Sequence, residues 1–228
     1  MDALLDLLNL VDSGFPTGAF GHSAGLEYAI QAGWVTDGAD LASWARGSLE
    51  RSFFPLDLRS ALKAWHGEGL DWGDLNRQTA AFRTSRAQRE AQAQVGRSFL
   101  RSVEAFYPDL GGPLWTGAET WFRSGVDPDA VQFCLAWGLV CRGLGIGALD
   151  MAEALVFSAL RQMTLVAMRL IPLGQKEAFT VQTRVLRDLD LAPVVAPSEV
   201  SKPLESLAPG FDLAGLGMEN LSSRYFRS

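Results

Sequence analysis

Histidine is scarce in this sequence. Its 228 residues include two histidines, His22 and His66. A closed metal site needs three or four ligands at a fixed spacing, and no such pattern of histidine and cysteine occurs, so no tight metal site is predicted. His22 could form a triad with Asp12 and Ser13 or Ser23, but no nucleophile-elbow pattern surrounds these residues. The scarcity of histidine therefore disfavours an enzyme.

Cysteine is equally rare, and a secretion signal is missing. Cys134 and Cys141 are seven residues apart in an apolar stretch, a separation too long for a disulfide within one helix. Buried free thiols in a reducing compartment are the simple interpretation. The first residues are acidic rather than basic, so no signal peptide is predicted and a cytoplasmic location is expected.

Lysine and an uninterrupted apolar run are lacking as well. Three lysines accompany 17 arginines, and acidic residues outnumber both for a net charge of -6. Nucleic acid is therefore not an expected partner, because no basic excess is available to release counterions. The most apolar window, residues 131–149, carries Arg142 near its middle. A buried core helix is predicted there rather than a membrane span.

No cofactor-binding motif stands out. Residues 143–148, Gly-Leu-Gly-Ile-Gly-Ala, match part of a dinucleotide fingerprint, but that fingerprint requires a preceding strand. An amphipathic helix precedes these glycines, so we expect a helix break and no bound cofactor.

What the sequence does contain is helical periodicity. Apolar residues recur at intervals of three and four, and no strand alternation or hairpin signal is found. The prediction is an all-α fold: a single helical-bundle-like domain of about eight to ten helices. Residues 1–190 form the helical body, and residues 191–228 form a proline-spaced segment and a terminal docking tail of the same domain.

Several helix boundaries follow from local signals. A helix is predicted to begin at Thr36 or Asp37 and to stop at Pro55, and residues 74–106 are predicted to form one long helix or two. Further helices are predicted from Asp127 to about Gly143, from Asp150 to Ile171, and from Gln175 to Leu189. Residues 192–210 carry four prolines and are expected to be a long or partly disordered loop.

Two segments are unusual for a helical protein. Residues 12–27, the signature segment, place four glycines and a proline around Phe15 and Phe20. They form either a tight connector whose rings plug the core or a rigid loop that meets a partner. The last residues place Tyr225 and Phe226 between two arginines. Such residues anchor interfaces, so this tail is expected to dock on a partner or to pack on its own domain.

These segments resemble those of a known family. The run Phe-Pro-Thr-Gly-Ala-Phe-Gly-His-Ser at residues 15–23, followed by Gly25-Leu26-Glu27, is similar to the first signature of UreF-type urease accessory proteins. The resemblance continues at Arg89 and Gly96, at residues 144–146 and at residues 169–175, Arg-Leu-Ile-Pro-Leu-Gly-Gln. It ends with Ser-Arg-Tyr-Phe-Arg-Ser at residues 223–228.

The resemblance implies a function. It implies a non-catalytic urease maturation scaffold that forms a homodimer and needs no cofactor. Its partners would be a UreD-type protein (also called UreH), a nickel-chaperone GTPase of the UreG type and apo-urease, into which nickel is delivered. The scaffold could also modulate GTP hydrolysis. No nucleic acid or membrane partner is implied.

The sequence departs from the family pattern at some positions. Phe133, Phe179 and Met218 stand where members often carry histidine or glutamine, and Tyr225 replaces a leucine. These departures argue against direct nickel binding by this chain.

Nine residues are predicted to bind partners. Arginine can bind carboxylates or helix-end carbonyls with two hydrogen bonds, aromatic rings can fill pockets, and His22 is also the one candidate for transient nickel contact, although a structural role is as reasonable. The alternative functions are a helical metal-binding module or a helical enzyme that uses His22. The nine residues are Phe20, His22, Glu27, Arg89, Gln175, Arg224, Tyr225, Phe226 and Arg227.

Overall fold

The regular structure of the chain is helical. The computed structural model describes residues 2–67, 69–110, 131–221 and 223–226. No β-strand occurs within these ranges, and the all-α prediction is confirmed. In chain order, the α-helices are α1 Ala3–Val11, α2 Leu26–Gln31, α3 Gly38–Ser48, α4 Arg59–His66, α5 Trp72–Ala81, α6 Arg86–Phe106, α7 Phe133–Gly143, α8 Ala148–Leu170, α9 Gln175–Asp188, α10 Pro197–Val200 and α11 Pro209–Gly217.

Most helix boundaries follow the local signals. The Asp37 carboxylate accepts hydrogen bonds from the backbone N–H groups of Ala39 and Asp40, and so caps α3. Residues 74–106 lie in two helices, α5 and α6, rather than one, and Ser85 caps the second. Helix α9 begins at Gln175, as predicted. The start predicted at Asp127 lies outside the described residues.

The predicted stop at Pro55 is wrong. Residues Leu49–Leu58 form a π-helix that contains Pro55 and joins α3 to α4 without a break. A proline inside a helix removes one N–H donor, so the turn before it has one backbone hydrogen bond fewer. In that turn the Arg51 carbonyl accepts a hydrogen bond from the backbone N–H of Leu207 at 2.8 Å. A distant segment thus supplies a backbone donor beside the proline.

The proline-spaced segment is ordered rather than a loose loop. It contains α10 and α11, and between them residues 201–208 form a strap along the π-helix. Besides Leu207, Glu205 donates its backbone N–H to the carbonyl of Pro55 at 3.2 Å. The buried Arg59 side chain donates to the carbonyl of Pro203 at 2.7 Å. Proline has no backbone N–H group. The prolines of this segment therefore leave fewer donors that need a partner between these contacts. The domain boundary at residue 190 remains a prediction.

The core is built where α7 lies against α4 and α6. Gly138 of α7 touches the backbone of α4, because a Cβ atom at this position would overlap the carbonyl oxygen of Ala61. Gly96 of α6 meets the carbonyl of Val131 in the same way. Trp137, between these contacts, is almost fully buried and donates its Nε1 hydrogen to the Met151 carbonyl at 3.2 Å. Because glycine has no side chain, the backbone of α7 lies close to α4, and the backbone just before α7 lies close to α6.

Helix α8 is the long central helix. It is long and apolar enough to cross a bilayer by length and composition, but half of its most apolar window is buried inside the protein. It packs against α2, α3, α4, α7 and α9. These contacts are those of the core helix of a globular domain. Cys134 and Cys141 on α7 are buried free thiols, as expected.

We expect Gly138→Ala to lower the free energy of unfolding by about 1–3 kcal/mol, because the added methyl group must push α4 and α7 apart. The matched control is Gly47→Ala. Gly47 also lies inside a helix, but a Cβ atom there meets nothing within 4 Å, so this variant should gain about 0.5–1 kcal/mol. Urea unfolding of both variants measures the two effects. Equal changes of the same sign would contradict the close-approach interpretation.

Candidate functional site

The signature segment is a fixed loop. Its Phe15 ring packs against Phe99 of α6 at 5.8 Å between ring centroids. The Ser102 hydroxyl of α6 donates to the Pro16 carbonyl at 3.2 Å. On the other side, Gln162 of α8 donates its amide hydrogens to the carbonyls of Ala19 and His22 at 2.8 and 2.5 Å. Phe15 therefore fills the core, as the connector interpretation predicts, while contact of the loop with a partner remains a prediction.

Glu27 binds the tail of its own chain. The side chain is completely buried on α2. Its Oε1 atom accepts the backbone N–H of Tyr225 at 2.7 Å, and its Oε2 atom accepts the N–H of Phe226 at 3.1 Å. The Gln31 amide adds contacts of 3.4 Å to Glu27 and to the carbonyl of Ser223. A buried carboxylate needs such donors, and here extended backbone supplies them. We call this arrangement the tail clamp.

Three consecutive tail residues, 223–225, are exposed, and the next one is buried. Phe226 is buried, and the Arg169 guanidinium carbon at the end of α8 lies 5.7 Å from its ring centroid. Tyr225 is 80% exposed. Arg224 donates to the carbonyl of Glu219 at 2.7 Å and so satisfies the end of the 3-10 helix Met218–Asn220. The tail therefore packs on its own domain and presents Tyr225 outward.

A close backbone contact sets the tail in this position. Gly25, which precedes α2 with φ +89°, lies against Ala214 and Gly215 of α11, so a Cβ atom there would come within 3.0 Å of the Gly215 nitrogen. Gly217 likewise lies against the ring of Tyr28. Only glycine combines this φ with so little space. The first signature and the last residues of the sequence, which are far apart in the chain, therefore form one structure.

The other predicted site residues are more dispersed. Arg89 donates to the carbonyls of Arg83 and Thr84 at 2.5 and 3.1 Å and so closes the turn between α5 and α6. Gln175 is exposed at the start of α9. Phe20 lies in the 3-10 helix Ala19–Gly21, its side chain outside the described atoms, and Arg227 lies outside the described residues. The partner-binding role of all nine remains a prediction.

His22 is buried, at 8% exposure. Within the described ranges, no three side chains of His, Cys, Asp or Glu are grouped so that they could hold a metal ion. The residues that depart from the family pattern make packing contacts instead. Phe133 stacks edge-on against Phe99 at 5.3 Å, Met218 accepts a long hydrogen bond from Ser23, and Phe179 lies under Arg161.

A cavity that the sequence did not reveal lies behind the signature loop. Its volume is about 450 Å³, and its wall includes Ser23 and His22 of the loop. A buried ion pair also lines it: Arg83 donates to Asp57 at 2.5 Å and to Gln132 at 3.0 Å. Burial lowers the pKa of Arg83, whereas the negative charge of Asp57 and the hydrogen bond to it raise the pKa. The net pKa lies above the ordinary value for arginine, so the guanidinium stays charged. The sequence contains one sign of this buried ion pair. Asp57 is a charged residue between two leucines, Leu56 and Leu58, that are buried in the core.

Fold and site together describe an all-α protein whose first signature holds its own tail. A family model named UreF matches residues 35–186. Urease accessory proteins UreF of Citrobacter koseri and Azotobacter vinelandii are similar to the chain. The first is 30% identical over 229 residues, covering 98% of this chain and 95% of the relative, and the second is 31% identical over 235 residues, covering all of both. The chain belongs to the UreF family.

Family membership confirms two of the predictions. The resemblance inferred from the signatures is confirmed. The relatives are named as accessory proteins, so the prediction that the chain is not an enzyme is confirmed at the level of the family.

We expect Glu27→Gln to loosen the tail. The new amide nitrogen cannot accept a hydrogen bond, so one of the two tail N–H groups loses its partner, and the free energy of unfolding should fall by about 1–3 kcal/mol. Hydrogen exchange at Tyr225 and Phe226 should become faster. The control is Glu177→Gln, which changes an exposed carboxylate on α9. Unchanged protection at both amides would contradict the clamp.

We expect both thiols to resist alkylation at neutral pH. Burial raises the pKa values of Cys134 and Cys141 above the ordinary thiol range, and the thiolate is the reactive form. A mass spectrum after treatment with iodoacetamide should show the unmodified folded chain. Two adducts should form in concentrated urea. Rapid labelling of the folded chain would show that α7 opens to solvent.

Proposed function

We propose that this chain is a cytoplasmic, non-catalytic scaffold of urease maturation. It forms a homodimer, binds a UreD-type protein and a UreG-type GTPase, and in this complex helps nickel enter apo-urease. It modulates GTP hydrolysis by the GTPase rather than carrying out a reaction itself. Neither nucleic acid nor a membrane takes part. Support comes from family membership and from the relatives' names, urease accessory protein UreF.

The observation that carries the proposal is the outward presentation of Tyr225. The backbone N–H groups of Tyr225 and Phe226 both bind Glu27, and the Phe226 ring is buried, yet the Tyr225 side chain is 80% exposed. A large, exposed aromatic ring on a fixed backbone loses little conformational entropy on binding, which is the property of an interface anchor. Glu27 and Phe226 then serve the partner indirectly, by positioning this ring.

The closeness of the signature loop to the tail supports a single partner-binding surface. Ser23 and Met218 are in contact, and Gly25 lies against α11. Arg224 is fixed by its bond to Glu219 and lies beside Tyr225 in the chain. Arg89 and Gln175 lie on other elements and are proposed as separate contacts.

We expect Tyr225→Ala to weaken assembly without destabilising the monomer. Loss of an interface anchor costs about 2 kcal/mol or more, or roughly a thirtyfold loss of affinity. Size-exclusion chromatography of the chain co-expressed with a UreD-type protein and the GTPase measures complex formation. Deletion of residues 224–228 should abolish the complex. The folded chain should keep its helical far-UV circular dichroism, although loss of both donors to Glu27 lowers its free energy of unfolding.

The matched control is Phe179→Ala, which removes an exposed aromatic ring from α9. It should assemble like the unaltered chain. If the deleted chain still forms the complex and activates urease, the tail assignment is wrong. If the unaltered chain elutes alone beside both folded partners, the proposed scaffold function itself is wrong.

A further inference from the structure

The cavity behind the signature loop has the size of a ligand site. Pockets for small molecules usually measure about 300–1,000 Å³ and combine apolar walls with a few polar groups. This cavity, at about 450 Å³, opens beside α1, where Leu8 belongs to its lining and is 55% exposed. Leu4 and Leu5 on the same helix are also exposed, so the approach to the opening is apolar.

One part of the wall is aromatic. Phe15, Phe133 and Trp137 line the cavity and belong to one cluster of rings. Phe133 lies 5.9 Å from Trp137 and 5.3 Å from Phe99, and Phe99 in turn lies 5.8 Å from Phe15, all between centroids. Offset and edge-on contacts of this kind are those that a further ring can join. This part of the wall therefore suits a ligand with a flat, apolar ring.

Another part of the wall is polar and rich in donors. Arg83, with its partner Asp57, lines the cavity. Gln88 of α6 also lines it, is 92% buried, and has an Nε2 amide with no hydrogen-bond partner. The amide lies against Gly215, and the terminal torsion of glutamine has a broad minimum, so rotation about this bond can turn the donor towards a ligand in the cavity. A ligand that offers an acceptor would satisfy a buried group that is otherwise unpaired.

The charged residues of the lining are balanced in number. Arg83 is paired with Asp57, and the other charged residues of the lining are Asp12 and Arg161, whose guanidinium lies over the ring of Phe179. A charged ligand would lose its hydration there without gaining a net counter-charge. The wall also lacks a set of metal ligands among the described residues. An uncharged polar head group fits these conditions better than an ion.

We propose that this cavity binds a small, uncharged molecule with an aromatic or similarly flat apolar body and a carbonyl acceptor. The body packs on Phe15, Phe133 and Trp137, and the carbonyl accepts hydrogen bonds from Gln88 and Arg83. The site is separate from partner docking by Tyr225 and does not rest on it. Because the loop at residues 12–23 forms part of the wall, occupancy adds contacts to the loop next to the tail clamp.

The test uses three probes with the same ring and different head groups: phenylacetamide, phenylacetate and phenethylamine. Saturation-transfer NMR on the full chain at millimolar probe concentrations should detect phenylacetamide most strongly. Titration of the tryptophan fluorescence should follow the same order, because Trp137 lines the cavity. No transfer to any probe overturns the proposal, and a preference for phenylacetate or phenethylamine overturns the chemistry assigned to the head group.

Two variants locate the binding. Ala91→Phe fills the cavity from α6 and should abolish transfer to phenylacetamide, since Ala91 belongs to the lining. Gln88→Leu removes the unpaired donor and should weaken binding about fivefold, the effect of one neutral hydrogen bond. Its matched control is Gln182→Leu. Gln182 is also buried with an unpaired amide atom but does not line the cavity. Binding that survives Ala91→Phe, or falls equally in both Gln variants, overturns the site.

Discussion

The buried carboxylate of Glu27 is the interaction on which the arrangement of this molecule depends. A carboxylate without solvent must be given hydrogen-bond donors from the protein, and in this chain the donors come from backbone 198 residues away. That requirement brings the last residues of the sequence to the first signature. It also fixes where α11 lies, because α11 must reach α2 closely enough for Gly25 and Gly215 to meet. The position of the exposed Tyr225 follows from this contact.

The second constraint is the close approach of helix backbones. Glycine at 138 and at 96 removes the side chains that would hold α4, α6 and α7 apart. Large rings, chiefly Trp137 and Phe99, fill the space on either side. A core made of small and large residues in this way is rigid and specific, since few other pairings of the same helices would fill it. The cavity is a region that these side chains do not fill, and its lining includes the ring cluster and the Arg83–Asp57 pair.

Much of this fold could be predicted from the sequence, because capping residues and apolar periodicity act locally. The helices that begin after Asp37 and at Gln175 are examples. The prediction at Pro55 failed because the backbone donors that reach the residues around this proline, Glu205 and Leu207, lie in a segment without periodicity. The site was only partly predictable for the same reason. Glu27 could be selected from the signature, but its binding to the tail depends on a long-range contact that no local pattern encodes. Gln88 and Arg83 were missed because a cavity is a property of packed elements.

The π-helix of residues 49–58 has a consequence for how the chain acquires its structure during synthesis. The carbonyls of Arg51 and Pro55 have their partners in residues 205–207, which leave the ribosome long after the helix itself has emerged. Contacts of such high sequence separation form late and slowly. We therefore expect the strap to close over the π-helix only after residues 205–207 have been synthesised, whereas the Pro55 carbonyl can accept a hydrogen bond from the nearby Arg59 before that.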